Sequence, residues 1–184
     1  MTITAPYTTN ETITATGGTP SRTGTSAAFT LDKLKAIALQ NGGSTADRVQ
    51  NLDRIVLTFN AAVNTATVGS CNGATNSGTD LSFNQGQNAA GDTVTANGIR
   101  LSIGSIDLGG QGYMQNSDTA DASTCACTAG NTVLTITVQG IAAASMSTVA
   151  GSRTATYTPN AAIQSAAGAS IDTTAKPAVT AVLF

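Results

Sequence analysis

RIVLTFN, at positions 54 to 60, is the clearest strand in the sequence. Its large apolar residues Ile55, Leu57 and Phe59 fall on alternate positions. Successive side chains of a β-strand point to opposite faces, so this alternation is typical of a strand with one face in a core. The stretch therefore predicts a half-buried β-strand.

Several other stretches are predicted as strands, most by similar alternation and the last because it is wholly uncharged, and segments rich in Gly, Asn and Ser separate many of them. Pro159 lies in one of them and cannot donate a ladder hydrogen bond, so it marks the end of its strand or a sheet edge. Many short strands joined by polar turns are typical of an antiparallel β-sandwich, and the predicted fold class is all-β. The stretches are DLSFN (80–84), IRLSIGSIDL (99–108), TVLTITVQGI (132–141), RTATYTPNAAI (153–163) and AVTAVLF (178–184).

Residues 27–41, AAFTLDKLKAIALQN, fit two structures. As a helix, Leu31, Leu34 and Ile37 would form one apolar stripe. As a strand, Ile37 and Leu39 would alternate with alanines. The strand is favoured because of the resemblance described below.

The composition limits the classes of protein to which this chain can belong. The chain has 184 residues, of which 41% are apolar and 10% charged, with a formal net charge of −2. The length suits one domain, and the charge is well below the roughly 25% of an average soluble domain. No Lys or Arg cluster indicates nucleic-acid binding, and no apolar run is long enough to span a bilayer. The N-terminus lacks the pattern of a signal peptide, so export either preceded residue 1 or uses no cleaved signal.

Histidine is absent from the sequence. Its absence removes the commonest general base and a common metal ligand together. The Gly-rich stretches at 17–20 and 109–112 lack the Gly-Lys-Ser continuation of a phosphate-binding loop. We therefore expect no enzyme activity.

The N-terminal stretch TITAPYTTNETITAT (2–16) has a strand pattern of its own. GGTPSRTGTS (17–26) follows it, and we interpret this segment as a flexible connector rather than a tight hairpin turn. The predicted domains are an arm with its connector over 1–26 and a sandwich over 27–184. The partner of the arm would be an edge of its own sandwich, a neighbouring subunit, or none. The apolar positions of the arm are Ile3, Ala5, Tyr7, Ile13 and Ala15.

Three cysteines are present, Cys71, Cys125 and Cys127. Cys125 and Cys127 are two residues apart and cannot easily bridge each other on an extended segment. Structural zinc normally needs four Cys or His ligands, which this sequence does not supply. We predict one disulfide from Cys71 to Cys125 or to Cys127, with three free thiols as the alternative. The bridge would pin a long loop predicted over 109–130, and the leftover thiol could link neighbouring subunits.

Calcium and a glycan are the remaining ligands to consider. Asn10 begins a glycosylation sequon, Asn-Glu-Thr, although a chain rich in Asn and Thr produces such sequons by chance. The acidic residues follow no EF-hand or RTX pattern, so we expect solvated carboxylates and no cofactor. The carboxylates considered for Ca²⁺ are Asp80, Asp92, Asp107, Asp118, Asp121 and Asp172.

Three segments together resemble the bacterial Ig-like domains that occur in tandem in S-layer and other surface proteins. They are DRIVLTFNAAVNTATV (53–68), NTVLTITVQGI (131–141) and TATYTPNAAIQSAAGASID (154–172). The resemblance implies an Ig-like antiparallel sandwich over about 34–172, with KAIALQNGG (35–43) as its first strand. The chain has Ser165 and Ala169 in the closing turn, where the family often carries Asp and Asn, so no calcium role is expected there.

The resemblance and the surplus arm lead to a structural hypothesis. The protein would be the subunit of an extracellular filament, pilus-like fibre or surface lattice, polymerising head-to-tail by N-terminal strand addition into the next copy. The acceptor groove would lie beside the 178–184 strand. Glu11 would then lie near the solvent-exposed end of this groove. A phage virion protein (decoration, tail or fibre) is one alternative. An adhesive Ig-like module that binds a ligand through the 109–130 loop is the other.

Overall fold

A computed structural model describes residues 12–15, 22–25, 34–69, 71–75, 81–87, 90–98, 101–149, 153–177 and 184. Almost all of its regular structure is β. The strands are β1 (Thr12–Ala15), β2 (Arg22–Thr25), β3 (Leu34–Gln40), β4 (Arg54–Phe59), β5 (Asn72–Thr75), β6 (Ser82–Asn84), β7 (Thr93–Asn97), β8 (Ser102–Asp107), β9 (Asp118–Thr119), β10 (Thr124–Thr128), β11 (Val133–Thr137), β12 (Thr156–Pro159) and β13 (Lys176–Pro177). One helical turn, α1 (Thr65–Val68), and one 3₁₀ turn, Ala143–Ser145, complete the described elements.

The first large sheet has five strands in the order β3-β4-β11-β10-β5, each antiparallel to its neighbour. The strand predicted from RIVLTFN is confirmed as β4, and Ile55 and Leu57 have no exposed surface. Ile55 lies opposite Ile136 and Leu57 opposite Leu134 on β11. Cross-strand apolar pairs of this kind stabilise a sheet and fix its register.

The second large sheet has six strands in the order β13-β12-β8-β7-β6-β9, again antiparallel. Pro159 ends β12, which lies between β13 and β8, so the proline marks a strand end rather than an edge strand. Opposite it is Gly104, where a Cβ would collide with the carbonyl oxygen of Thr158. Glycine at this position therefore permits the close approach of β8 and β12.

One hydrophobic cluster takes its residues from both large sheets. Two faces that share a dry core are the defining feature of a sandwich. The all-β sandwich predicted from the strand pattern is thereby confirmed. Its largest fully buried side chains include Tyr113, Tyr157, Phe83 and Phe184.

The ambiguous segment at 27–41 is a strand where the structure describes it. β3 runs from Leu34 to Gln40, and its buried residues are Leu34, Ile37 and Leu39. The buried residues Leu34 and Ile37 are three positions apart, a spacing that is also typical of a helix. This spacing arises from an irregularity in the ladder between Leu34 and Ala36. An extra residue in one strand shifts the alternation by one position.

The N-terminal segment differs from the prediction. β1 pairs antiparallel with β2, with Ile13 opposite Gly24 and Ala15 opposite Arg22. The view that the arm does not pair with the next segment along the chain is therefore wrong for residues 12–15. The sequence between the two strands, TGGTPS, contains two glycines and a proline, which suit a reversal of the chain.

The loop expected over 109–130 also differs from the structure, because β9 and β10 lie within it. β10 is an interior strand of the five-stranded sheet. Its sequence, TCACT, has small side chains and lacks the large apolar alternation that identifies β4. The predicted strand at 178–184 lies outside the described residues except for Phe184, which is buried and whose carbonyl accepts a 3.0 Å hydrogen bond from the Asp47 N–H.

Candidate functional site

The two sheets leave edges of unequal length. Among the described residues, the five-stranded sheet ends at β3 and β5, and the six-stranded sheet at β13 and β9. β3 has seven residues and β5 four, whereas β9 and β13 have two each. An edge strand presents backbone N–H and C=O groups that can pair with an added strand, and short edges present few of them. The five-stranded sheet therefore offers the longer edges.

A loop at 41–53 connects β3 to β4 and is closed around the side chain of Asp53. This carboxylate is fully buried and accepts backbone N–H groups from Gly42 at 3.0 Å, Gly43 at 3.1 Å and Gln50 at 2.6 Å. Burial raises the pKa of Asp53, and the three backbone hydrogen bonds oppose that rise. A Cβ at Gly42 would collide with the carbonyl of Leu52, so this close approach needs glycine.

An open cleft of about 430 Å³ lies between this loop and the segment after β11. Leu52 is part of its lining, with φ of 80° and 52% of its surface exposed. The Asn51 side-chain oxygen accepts the Ile141 N–H at 3.1 Å and ties the two walls together. The cleft is lined by Gly42, Gly43, Ser44, Val49, Gln50, Asn51, Leu52, Ile141 and Ala143.

The cleft lining is uncharged and contains no acid, base or nucleophilic thiol. Arg48 is not part of the lining, and its Nη2 donates to the carbonyls of Ala143 at 2.5 Å and Met146 at 3.2 Å. The lining can therefore contact apolar and amide groups of a ligand.

The predicted donor residues fall into two groups. Ile13 and Ala15 lie in β1, and within the described ranges β1 pairs only with β2, in a two-stranded sheet separate from both large sheets. Ile3, Ala5 and Tyr7 lie outside the described residues, as do Asn10 of the sequon and Glu11.

The cysteines form one disulfide, between Cys71 and Cys125. Their Cα atoms are 4.9 Å apart and 54 positions separate them in the sequence. The prediction that Cys71 bridges one of the two later cysteines is confirmed. Cys127 is free and half-buried, and burial raises the pKa of its thiol.

Among the carboxylates considered for calcium, those that the structure describes do not gather into one cluster. Asp92 is fully buried and accepts three backbone N–H groups, from Gly86, Tyr113 and Met114. Asp118 accepts the N–H of Ala142 at 2.9 Å. These carboxylates anchor loops, and within the described ranges no three His, Cys, Asp or Glu side chains gather as a metal site would require.

Asp107 and Asp172 also bind neighbouring groups of the chain. Asp107 accepts the N–H of Gly109 at 2.8 Å. Asp172 accepts both the hydroxyl and the N–H of Thr174, and these two bonds lower the pKa of its carboxyl, with a smaller contribution from Lys176. Asp80 lies outside the described residues.

Neither Asp53 nor its cleft was predicted from the sequence. Asp53 entered only as the first residue of a strand motif, and its partners Gly42 and Gly43 lie ten or more positions earlier. The pair of glycines before a polar segment that ends in Asp is the only signal in the sequence, and it is equally typical of a simple turn.

Comparisons of the chain with protein-family models, with curated proteins and with solved structures found no match. The resemblance to bacterial Ig-like domains therefore stays a prediction that rests on the three quoted segments. No helix in the part of the chain that the structure describes is long and apolar enough to cross a bilayer.

Proposed function

We propose that the protein is the repeating subunit of an extracellular filament, pilus-like fibre or surface lattice. In this proposal the N-terminal segment of one copy adds as a strand to a sheet edge of the next copy. One observation carries the proposal: among the strands that the structure describes, β1 and β2 form a two-stranded sheet apart from the hydrogen-bonded ladders of the sandwich. A lone two-stranded hairpin is marginally stable in water, and a third strand is what normally stabilises it.

The sequence of the hairpin supports the same proposal. β2 reads RTGT and has no large apolar residue that could form a core with Ile13 of β1. The upstream residues Ile3, Ala5 and Tyr7 extend the apolar alternation beyond the hairpin. A donor strand of this pattern would place its backbone against an acceptor edge and its alternate side chains against the core of the neighbour.

The edge strand β3 is the longest acceptor among the described residues. Its backbone between Ile37 and Gln40 pairs in regular register with β4, and these four residues carry no charge. Lys35, which is exposed, stands at the irregular end of the strand. A contact between the hairpin of one copy and the edge of another is head-to-tail, and it propagates as an open filament when its rotation does not close a ring.

The disulfide and the composition favour an oxidising compartment. Disulfides such as Cys71–Cys125 persist in secreted and surface proteins and are rare in the cytosol. A surface with little charge and many small polar residues suits the same setting. These observations support an assembly that is exposed outside the cell.

The test uses two matched double variants of the full chain, examined by negative-stain electron microscopy and sedimentation velocity. I13D/A15D places charge at the apolar positions of β1 and is expected to abolish polymers. T12D/T14D adds the same charge to the same strand at the intervening positions, and its polymers are expected to persist.

Two results would overturn the proposal. One is a wild-type chain that stays monomeric at every concentration tested. The other is an I13D/A15D variant that polymerises as the wild type does. Removal of residues 1–25 is expected to leave a folded monomer, since both large sheets lie downstream of residue 33.

A further inference from the structure

We propose that Cys71 has two bridging partners, and that its disulfide moves from Cys125 to Cys127 by thiol–disulfide exchange within the chain. The proposal concerns the end of the five-stranded sheet where β5 pairs with β10. It is independent of the assembly proposed above.

If the β5–β10 ladder is continued by one residue, its register places Cys71 opposite Cys127. Asn72 lies opposite Ala126 in this antiparallel pair. In an antiparallel pair, the residue before one partner lies opposite the residue after the other. If β5 began one residue earlier, Cys71 would therefore lie opposite Cys127. Residues directly opposite one another have Cα atoms about 4.5–5.5 Å apart, which lies within the range that a disulfide spans.

Cys71 instead lies in a turn immediately before β5, bonded to Cys125. Its N–H donates a 2.7 Å hydrogen bond to the carbonyl of Gly69, whose φ is 96°. Glycine adopts positive φ at little cost and can equally take extended conformations. The two bridged forms therefore differ in whether Cys71 turns away from the ladder or extends it, and β10 keeps its pairing with β11 in both.

The free thiol is on the correct side of β10. Cys127 is two positions after Cys125 on one strand, so the two side chains share a face. Cys125 is buried and Cys127 packs against the same hydrophobic cluster. A thiol in this position faces the neighbourhood of the existing bridge and is half-shielded from other molecules.

The exchange is balanced without any added reagent. The Cys127 thiolate attacks the Sγ of Cys71, the bond between Cys71 and Cys125 breaks, and Cys125 leaves as a thiolate that takes up the proton released by Cys127. One disulfide and one thiol are present before and after, so nothing is oxidised or reduced overall. Burial raises the pKa of the Cys127 thiol, so the exchange accelerates as the pH rises.

Free thiols are counted in the denatured state for four full-length, air-oxidised proteins, and the bridges are identified by peptide mapping. The wild type is expected to show one thiol and C127S none. C71S is expected to show two, because cysteines two apart on a strand do not bridge. The deciding variant is C125S: no free thiol and a Cys71–Cys127 peptide pair supports the proposal, and two free thiols in a folded protein overturn it.

The wild type decides the matter if near-ultraviolet circular dichroism shows that C125S does not fold. It is incubated near pH 8.5 without any added thiol, quenched with acid, alkylated and mapped. A species alkylated at Cys125 and bridged from Cys71 to Cys127 supports the proposal. Alkylation confined to Cys127 overturns it.

Discussion

The hydroxyl of Tyr157 donates a 2.6 Å hydrogen bond to the carbonyl oxygen of Ile103, across the β12–β8 pair of the six-stranded sheet. Both side chains are buried. The same carbonyl also accepts the N–H of Asn160 at 3.0 Å. The buried hydroxyl of Tyr157 therefore has a hydrogen-bond acceptor, and the Ile103 carbonyl accepts a second hydrogen bond from Asn160.

Y157F removes that hydroxyl and is expected to lower the free energy of unfolding by about 1 kcal/mol. The loss is modest because Asn160 still satisfies the Ile103 carbonyl. Y157A removes the ring as well and is expected to cost about 3–5 kcal/mol through the cavity it leaves. Urea unfolding measures both. If Y157F lowered the free energy of unfolding as much as Y157A does, most of the contribution of Tyr157 would come from its hydroxyl, which would contradict this prediction.

Alkaline pH is expected to destabilise the wild type more than Y157F. Burial raises the pKa of Tyr157 above its usual value of about 10. Because the unfolded chain ionises first, the contribution of this group is complete below about pH 10 and is lost as the pH rises further. Unfolding midpoints of the two proteins between pH 8 and 11.5 test this. Parallel curves would show that Tyr157 does not titrate as its burial predicts.

D92N is expected to cost about 2–4 kcal/mol of the free energy of unfolding. One carboxylate oxygen of Asp92 accepts the N–H of Gly86 and the other accepts those of Tyr113 and Met114. An amide group has only one oxygen, so its NH₂ group would face a backbone donor. D107N is the matched control, because Asp107 lies at the surface and accepts one N–H, and its loss is expected to stay below about 1 kcal/mol.

C71S/C125S is expected to lose about 4 kcal/mol of stability in the chain-entropy account, since the bridge closes a loop of 54 positions. C127S keeps the bridge and is expected to lose less than about 1 kcal/mol. Chemical denaturation without reductant compares them. Equal losses in the two variants would mean that the bridge adds nothing beyond the packing of a thiol.

The alternation of large apolar residues with smaller ones predicted the central strands well. In β4, Ile55, Leu57 and Phe59 identify both the strand and its buried face, and a few residues of sequence contain all of that information. The interior strand β10 was missed because Cys125 and its small neighbours do not alternate large with small. Its place follows from its pairing with β11 and β5 and from a bridge to Cys71, which lies 54 positions earlier.

The loop anchors were equally inaccessible to sequence patterns. Asp53 and Asp92 resemble any surface aspartate along the chain, and their burial depends on backbone N–H groups from distant turns. The N-terminal hairpin was missed for a different reason: β2 has no large apolar residue, and it contains Gly24, a residue type depleted in strands. Pairing with β1, rather than propensity, defines that strand.

The Cys71–Cys125 bridge has a mechanical consequence. Tension applied along the chain from its two ends passes through the bridge, so the strands from β5 to β9 lie in a loop that carries no load. Once the rest of the domain is pulled out, the 54 bridged positions remain unextended, and the chain reaches about 180 Å less than its full contour. A fibre made of such subunits would resist stretching beyond that limit even after its sandwiches had opened.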